Sequence, residues 1–111
     1  MLPSDPGELT LYNKIMKKFV FLFKGFDQPT PEIMESWMNW FKVVEDKVAD
    51  MGNGLSMGRE ITRSGSKDLP MDLEALTAYM VFNATDINEA EEIAKSCPMI
   101  TSVMVYEIRS K

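Results

Sequence analysis

Apolar side chains fill both sides of the stretch from Lys17 to Lys24. Phe19, Phe21 and Phe23 project one way from an extended chain, and Val20 and Leu22 project the other. The stretch predicts a strand with two faces to cover. Helices of the same chain cover one, and a second subunit is the candidate for the other. Gly25 to Pro29 is a loop. Thr30 then offers a helix N-cap, with Pro31 at the first helical position and Glu32 near the positive helix end. Ile33, Trp37, Met38, Phe41, Val44, Val48 and Met51 recur at three-four spacing, which predicts a helix to about Met51. Met34 and Trp40 widen its apolar face. Gly52-Asn53-Gly54 is the expected helix stop, since Gly and Asn accept the left-handed conformation there.

Leu55, Met57, Arg59 and Ile61 alternate with Ser56, Gly58, Glu60 and Thr62, the pattern of a half-buried second strand. Arg63 to Pro70 is rich in Ser, Gly and charge and predicts the mobile loop of a long hairpin. A third strand is predicted from Leu73 to Asn83. Asp86 and Glu89 have capping-box spacing and open a second helix, with Ile87, Ala90, Ile93, Ala94 and Cys97 on its apolar face and Pro98 as its stop. Thr101 to Arg109 predicts a fourth strand. The order βαββαβ with right-handed crossovers predicts an α+β, ferredoxin-like split βαβ fold: a four-stranded antiparallel sheet with two helices on one face. Two such sheets facing each other across a two-fold axis would close a dimeric α+β barrel. Residues 1–15, turn-rich from Leu2 to Gly7, read as a flexible, dispensable N-terminal extension ahead of one domain at 16–111.

The charge balance narrows the partners. Twelve basic residues against seventeen acidic ones leave a net charge of -5. That argues against nucleic-acid and anionic-membrane surfaces, which attract Lys and Arg clusters. No apolar run approaches the ~20 residues of a membrane helix. The single cysteine, Cys97, permits no internal disulfide and suits a cytoplasmic setting. The chain has no histidine, which removes the usual general base near neutral pH and the commonest transition-metal ligand. No metal and no cofactor are expected. Ten methionines suit a core or cavity that adapts to irregular shapes.

Candidate chemistry is sparse. Cys97 stands at a helix C-terminus, where the dipole disfavours a thiolate, so it reads as structural. Arg59, Glu107 and Arg109 fall on the second and fourth predicted strands, where Arg59 is the candidate to orient a ligand carboxylate. Trp37, Trp40, Tyr79 and Phe21 are candidates to pack on a planar ligand. Asp27, in the loop after the first strand, is the best-placed carboxylate, because loops at strand ends carry sites.

The run Met16-Lys17-Lys18-Phe19 through Phe23-Lys24-Gly25, then Pro31-Glu32 with Trp37 and Trp40, Asp86-Ile87-Asn88-Glu89-Ala90 through Cys97-Pro98, and Val103 to Arg109 together resemble the YCII-related proteins. The resemblance covers about residues 16–109 and lies nearest the branch with an Asp-Gly-Pro-Phe hairpin motif, in whose place this chain has Asp68-Leu69-Pro70-Met71. It implies the dimeric α+β barrel and a small cytoplasmic protein. Barrels of that kind serve muconolactone-type isomerases, metal-free monooxygenases and stress-response binding proteins. A His-Asp pair proposed as catalytic in some members falls near Ile33 and Cys97, neither of which can play that role. Two functions are therefore expected. One is a homodimer that binds a small apolar or aromatic compound between the first helix and the sheet, through Phe21, Asp27, Trp37, Trp40, Arg59 and Tyr79. The alternative is a cofactor-independent isomerase or lyase acting on an aromatic breakdown product.

Overall fold

The computed structural model of the protein describes residues 16–110. The expected extension at 1–15 lies outside them. In chain order the elements are β1 (Lys17–Lys24), α1 (Pro31–Val44), one turn of 3-10 helix (Glu45–Lys47), β2 (Val48–Gly54), β3 (Gly58–Thr62), β4 (Gly65–Leu69), β5 (Leu76–Ala84), α2 (Ile87–Lys95) and β6 (Ser102–Glu107). Four of the strands form an antiparallel sheet in the order β2-β5-β1-β6. The protein is thus α+β, with two helices and a four-stranded antiparallel sheet consistent with a ferredoxin-like arrangement.

The alternation in β1 decides which face is which. Phe19, Phe21 and Phe23 are buried with Met80 and Phe82 of β5, and they pack against Trp40 and Val44 of α1 and Ala90, Ile93 and Ala94 of α2. The aromatic face therefore lies under the helices, and the aliphatic face turns away. On that second face Val20 stands between Val81 and Tyr106, and Leu22 between Tyr79 and Met104. No helix covers this row among the described residues. Tyr106 is 58% exposed, while its neighbours are half-buried by one another.

Both helix starts follow their sequence signals. The Thr30 hydroxyl accepts from Ile33 N at 3.2 Å, and the Asp86 carboxylate accepts from Glu89 N at 2.9 Å. The Glu89 carboxylate reaches back one residue beyond the usual box and accepts from Thr85 N at 2.7 Å.

The stretch after Val44 differs from the expected helix to Met51. The helix ends at Val44, and Val48–Gly54 is instead the edge strand of the sheet. Val48 and Met51 sit at helical spacing from Val44, but Val48 pairs with Phe82 across the ladder. Pairing satisfies the outer backbone groups of β5, which a longer helix would leave bare. Gly52 does take up a left-handed conformation, at φ 65°, but inside β2 rather than at a helix end. The ladder shifts register there, between Asp50 and Asn53.

The expected second strand, Leu55 to Thr62, is not in the main sheet. Its last five residues are β3, which pairs only with β4, and β4 occupies most of the stretch expected to be a loop. All five residues of each strand are exposed. The hairpin is held by its ladder and by Arg59–Asp68 and Lys67–Glu60 ion pairs at 2.8 and 3.5 Å. Exposed pairs of this kind contribute well under about 1 kcal/mol each.

Candidate functional site

The loop that follows β1 is tied down at its base. Gly25 N donates to Ala75 O at 2.7 Å, Phe26 N donates to Asp72 O at 2.8 Å, and the Thr77 hydroxyl donates to Gly25 O at 3.1 Å. Gly25 has φ 117°, and a Cβ there would fall 2.7 Å from Thr101 Oγ1, so the tight exit from β1 requires glycine. The result is a fixed ledge carrying Phe26 and Asp27 beside the start of α1. The Asp27 carboxylate accepts from Gln28 N at 2.8 Å and is otherwise exposed.

Between this ledge, α1 and the β2–β5 edge lies a cleft of about 550 Å³. Helix α1 contributes Ile33, Met34, Trp37 and Phe41 to one wall. The opposite wall is Met51 to Gly54 of β2 with Thr77 to Met80 of β5, and Phe23 closes the floor. That size suits a small organic molecule. The lining is apolar apart from a few groups, and among the described residues Asp27 is the one charged residue in it. Trp37 stands edge-on to Phe23, with ring centroids 5.5 Å apart.

Of the six residues expected to bind a ligand, Asp27, Trp37 and Tyr79 line this cleft. The other three do not. Phe21 is fully buried beneath the helices, its ring 4.4 Å from that of Phe82. Trp40 is 4% exposed, and its indole N–H donates to Ser96 Oγ at 2.8 Å, tying α1 to the end of α2. The spacing of α1 puts Trp37 and Trp40 on one broad face, but only Trp37 lies toward the open edge of the sheet. Arg59 belongs to the β3–β4 hairpin and pairs with Asp68, while Glu107 pairs with Lys17 at 3.6 Å. Arg59 and Glu107 are thus exposed strand charges with separate partners, Arg59 on a hairpin that leaves the main sheet.

Sequence reasoning missed Phe26, Met51 and the Gly52-Asn53-Gly54 wall. Phe26 carried a signal, as the one large apolar residue in a polar loop. The glycine-rich wall was visible but resembled a helix stop. Cys97 is 7% exposed, outside the cleft, and burial pushes its thiol up to about 11. A thiol so protonated at neutral pH is no nucleophile. Among the described residues no group of three or more Asp, Glu or Cys side chains is arranged to hold a metal ion. No described helix is long and apolar enough to cross a membrane.

The two tryptophans should separate by experiment. Trp40→Ala should cost about 3–5 kcal/mol of unfolding free energy, the usual loss for a buried Trp. It also leaves Ser96 without its donor. Trp37→Ala, at a half-buried position, should cost distinctly less in urea unfolding and more in ligand affinity. Equal stability losses for the two would contradict this division.

No protein-family model matches this chain, and no curated protein sequence matches it.

Proposed function

We propose that the protein is a non-catalytic binding protein that takes a small apolar or aromatic compound in the cleft between α1 and the β2–β5 edge, and that it works as a homodimer. The cleft itself carries the reading: about 550 Å³, walled by Phe26, Met34, Trp37, Phe41 and Met51, in a domain this small. Apolar walls with few polar groups are the usual form of a small-molecule site. The flexible thioethers of Met34 and Met51 let it adapt to more than one shape. The resemblance of the chain's two ends to YCII-related proteins supports the same reading, and with it a cytoplasmic setting and a two-fold partner. The row Val20, Leu22, Val81 and Met104 on the open sheet face supports the dimer, because apolar sheet faces are covered in folded assemblies. Two such faces in contact would make the dimeric barrel.

Asp27 favours a second reading, a cofactor-independent isomerase or lyase. It is a carboxylate on a cavity wall, the position of a general base. Tyr79 is the one other titratable residue of the lining. The first reading stands ahead because, among the described residues, the lining adds only Tyr79 to Asp27, and the Tyr79 side chain belongs to the row on the other sheet face.

Titration with N-phenyl-1-naphthylamine, a neutral dye whose emission rises in apolar surroundings, tests the cleft. Emission should rise at micromolar protein, and Trp37→Ala should weaken binding about tenfold, the effect of removing one large stacking contact. Light scattering should give twice the 12.6 kDa chain mass. Leu22→Glu should return it to 12.6 kDa with the circular dichroism of a folded domain. No emission change would end the binding reading, and a wild-type monomer at tens of micromolar would end the dimer.

A further inference from the structure

Resting on that reading of the cleft, we infer that the preferred ligand is a cation: an apolar, aromatic body bearing a protonated amine, held head-first against Asp27. Among the described residues the lining contains one carboxylate and neither lysine nor arginine. Arg59, the residue expected to receive a ligand carboxylate, lies on the hairpin and is already paired with Asp68 at 2.8 Å. Lys24, near the ledge in sequence, turns to Glu74 at 3.1 Å and is not part of the lining. An anion entering the cleft would therefore meet one like charge and no opposite charge among the described lining residues.

A cation meets the reverse. Among the described residues the Asp27 carboxylate accepts one hydrogen bond, from Gln28 N, and it rises from a loop tied by three hydrogen bonds at Gly25 and Phe26 rather than from a flexible tip. A charge-assisted bond to a carboxylate in a fixed position is the strong kind. The aromatic walls act in the same direction. Phe23, Phe26, Trp37 and Phe41 bring aromatic rings to the lining, and the negative quadrupole potential of ring faces attracts ammonium groups and is indifferent or hostile to carboxylates.

The positive end of α1 does not reverse this preference. Pro31 has no N–H, Thr30 Oγ1 already accepts from Ile33 N, and Glu32 adds a carboxylate to the same turn. The chain's net charge of -5 adds a general attraction for cations, which the experiment has to separate from the local one.

Three compounds with one body and three heads make the test: 4-phenylbutylamine, 4-phenylbutan-1-ol and 4-phenylbutanoate, each titrated at pH 7 by quenching of tryptophan emission. The amine should bind about fivefold or more tighter than the alcohol, and the butanoate weakest, as expected for one partly exposed charge-assisted contact. In Asp27→Asn the amine-to-alcohol ratio should fall to about twofold or less, because the amide keeps the shape and loses the charge. Glu91→Gln, on the exposed face of α2, removes the same unit of net charge and should leave the ratio as it is. If the alcohol binds but the amine gains nothing over it, the cation preference is wrong and the cleft reading stands. If Glu91→Gln erodes the ratio as much as Asp27→Asn, the preference belongs to the whole protein and the assignment to Asp27 is wrong. If none of the three binds, the inference falls together with the reading beneath it.

Discussion

Gly52→Ala should lose about 3 kcal/mol or more of unfolding free energy, although it adds a single methyl group to an edge strand. Two costs combine. At φ 65° an alanine sits in the left-handed region, which costs an L-residue roughly 1–2 kcal/mol. The added Cβ would also lie 2.7 Å from the Tyr79 carbonyl carbon and deep inside the radius of the Tyr79 carbonyl oxygen. That oxygen is backbone of β5, so no side-chain rotation relieves the clash. The strands have to separate where the ladder already shifts register. In a domain of this size 3 kcal/mol corresponds to a melting temperature lower by about 12 °C or more. The comparison with Gly52→Asn identifies the cause. Asparagine tolerates positive φ but still carries a Cβ. If the clash dominates, both variants fall alike; if backbone strain dominates, asparagine recovers most of the loss. Because Gly52 is also part of the cleft wall, both should lose dye binding at temperatures where they remain folded. A change of under about 4 °C would mean that β2 is not paired to β5 as described.

The same glycine shows where the sequence stopped being legible. Elements governed by local rules were readable. Alternation gave β1 its limits and its two faces, and the Thr30 and Asp86 side chains marked both helix starts. The end of α1 was not readable, because Val44, Val48 and Met51 fit a helical stripe as well as they fit an edge strand. What decided between them was the bare edge of β5, a partner far along the chain that pairs Val48 with Phe82. The hairpin failed for a related reason. Its alternating pattern predicts a strand correctly, but nothing local says whether that strand joins the main sheet or pairs only with its neighbour. At the cleft, the wide apolar face of α1 pointed to a cavity, and Asp27 and Trp37 are in its lining. Separating Trp37 from Trp40 needed the position of Ser96, and discarding Arg59 needed Asp68, both set by tertiary pairing.

Phe21→Ala should be the most damaging single core substitution, and it should differ in kind from a change at the very next residue. Phe21 has no exposed surface and sits at the centre of the middle strand, opposite Met80 on one side and Val105 on the other. Its ring lies 4.4 Å from Phe82 and 6.3 Å from Phe23, so truncation empties a space bounded by other rings. Burial loss plus cavity gives about 3–5 kcal/mol, and the lost aromatic pairing adds roughly 0.5–1.5 kcal/mol. Against a total of about 5–15 kcal/mol for a small domain, that is enough to leave a substantial unfolded fraction at 37 °C. Phe21→Leu, which keeps most of the volume, should cost far less. Leu22 faces the opposite side, so Leu22→Glu puts its charge on the open row between Tyr79 and Met104 and leaves the buried rings alone. The pair should therefore divide cleanly. Phe21→Ala lowers the denaturant midpoint, and subunit association falls only as unfolded chains accumulate. On the proposed dimer, Leu22→Glu should abolish association while each protomer still unfolds cooperatively. Measurements at matched protomer concentration are required, since a dimer's stability depends on it. If Leu22→Glu unfolds the protein as thoroughly as Phe21→Ala does, the protomer does not stay folded without cover on its outer face, and the separation of folding from association is wrong.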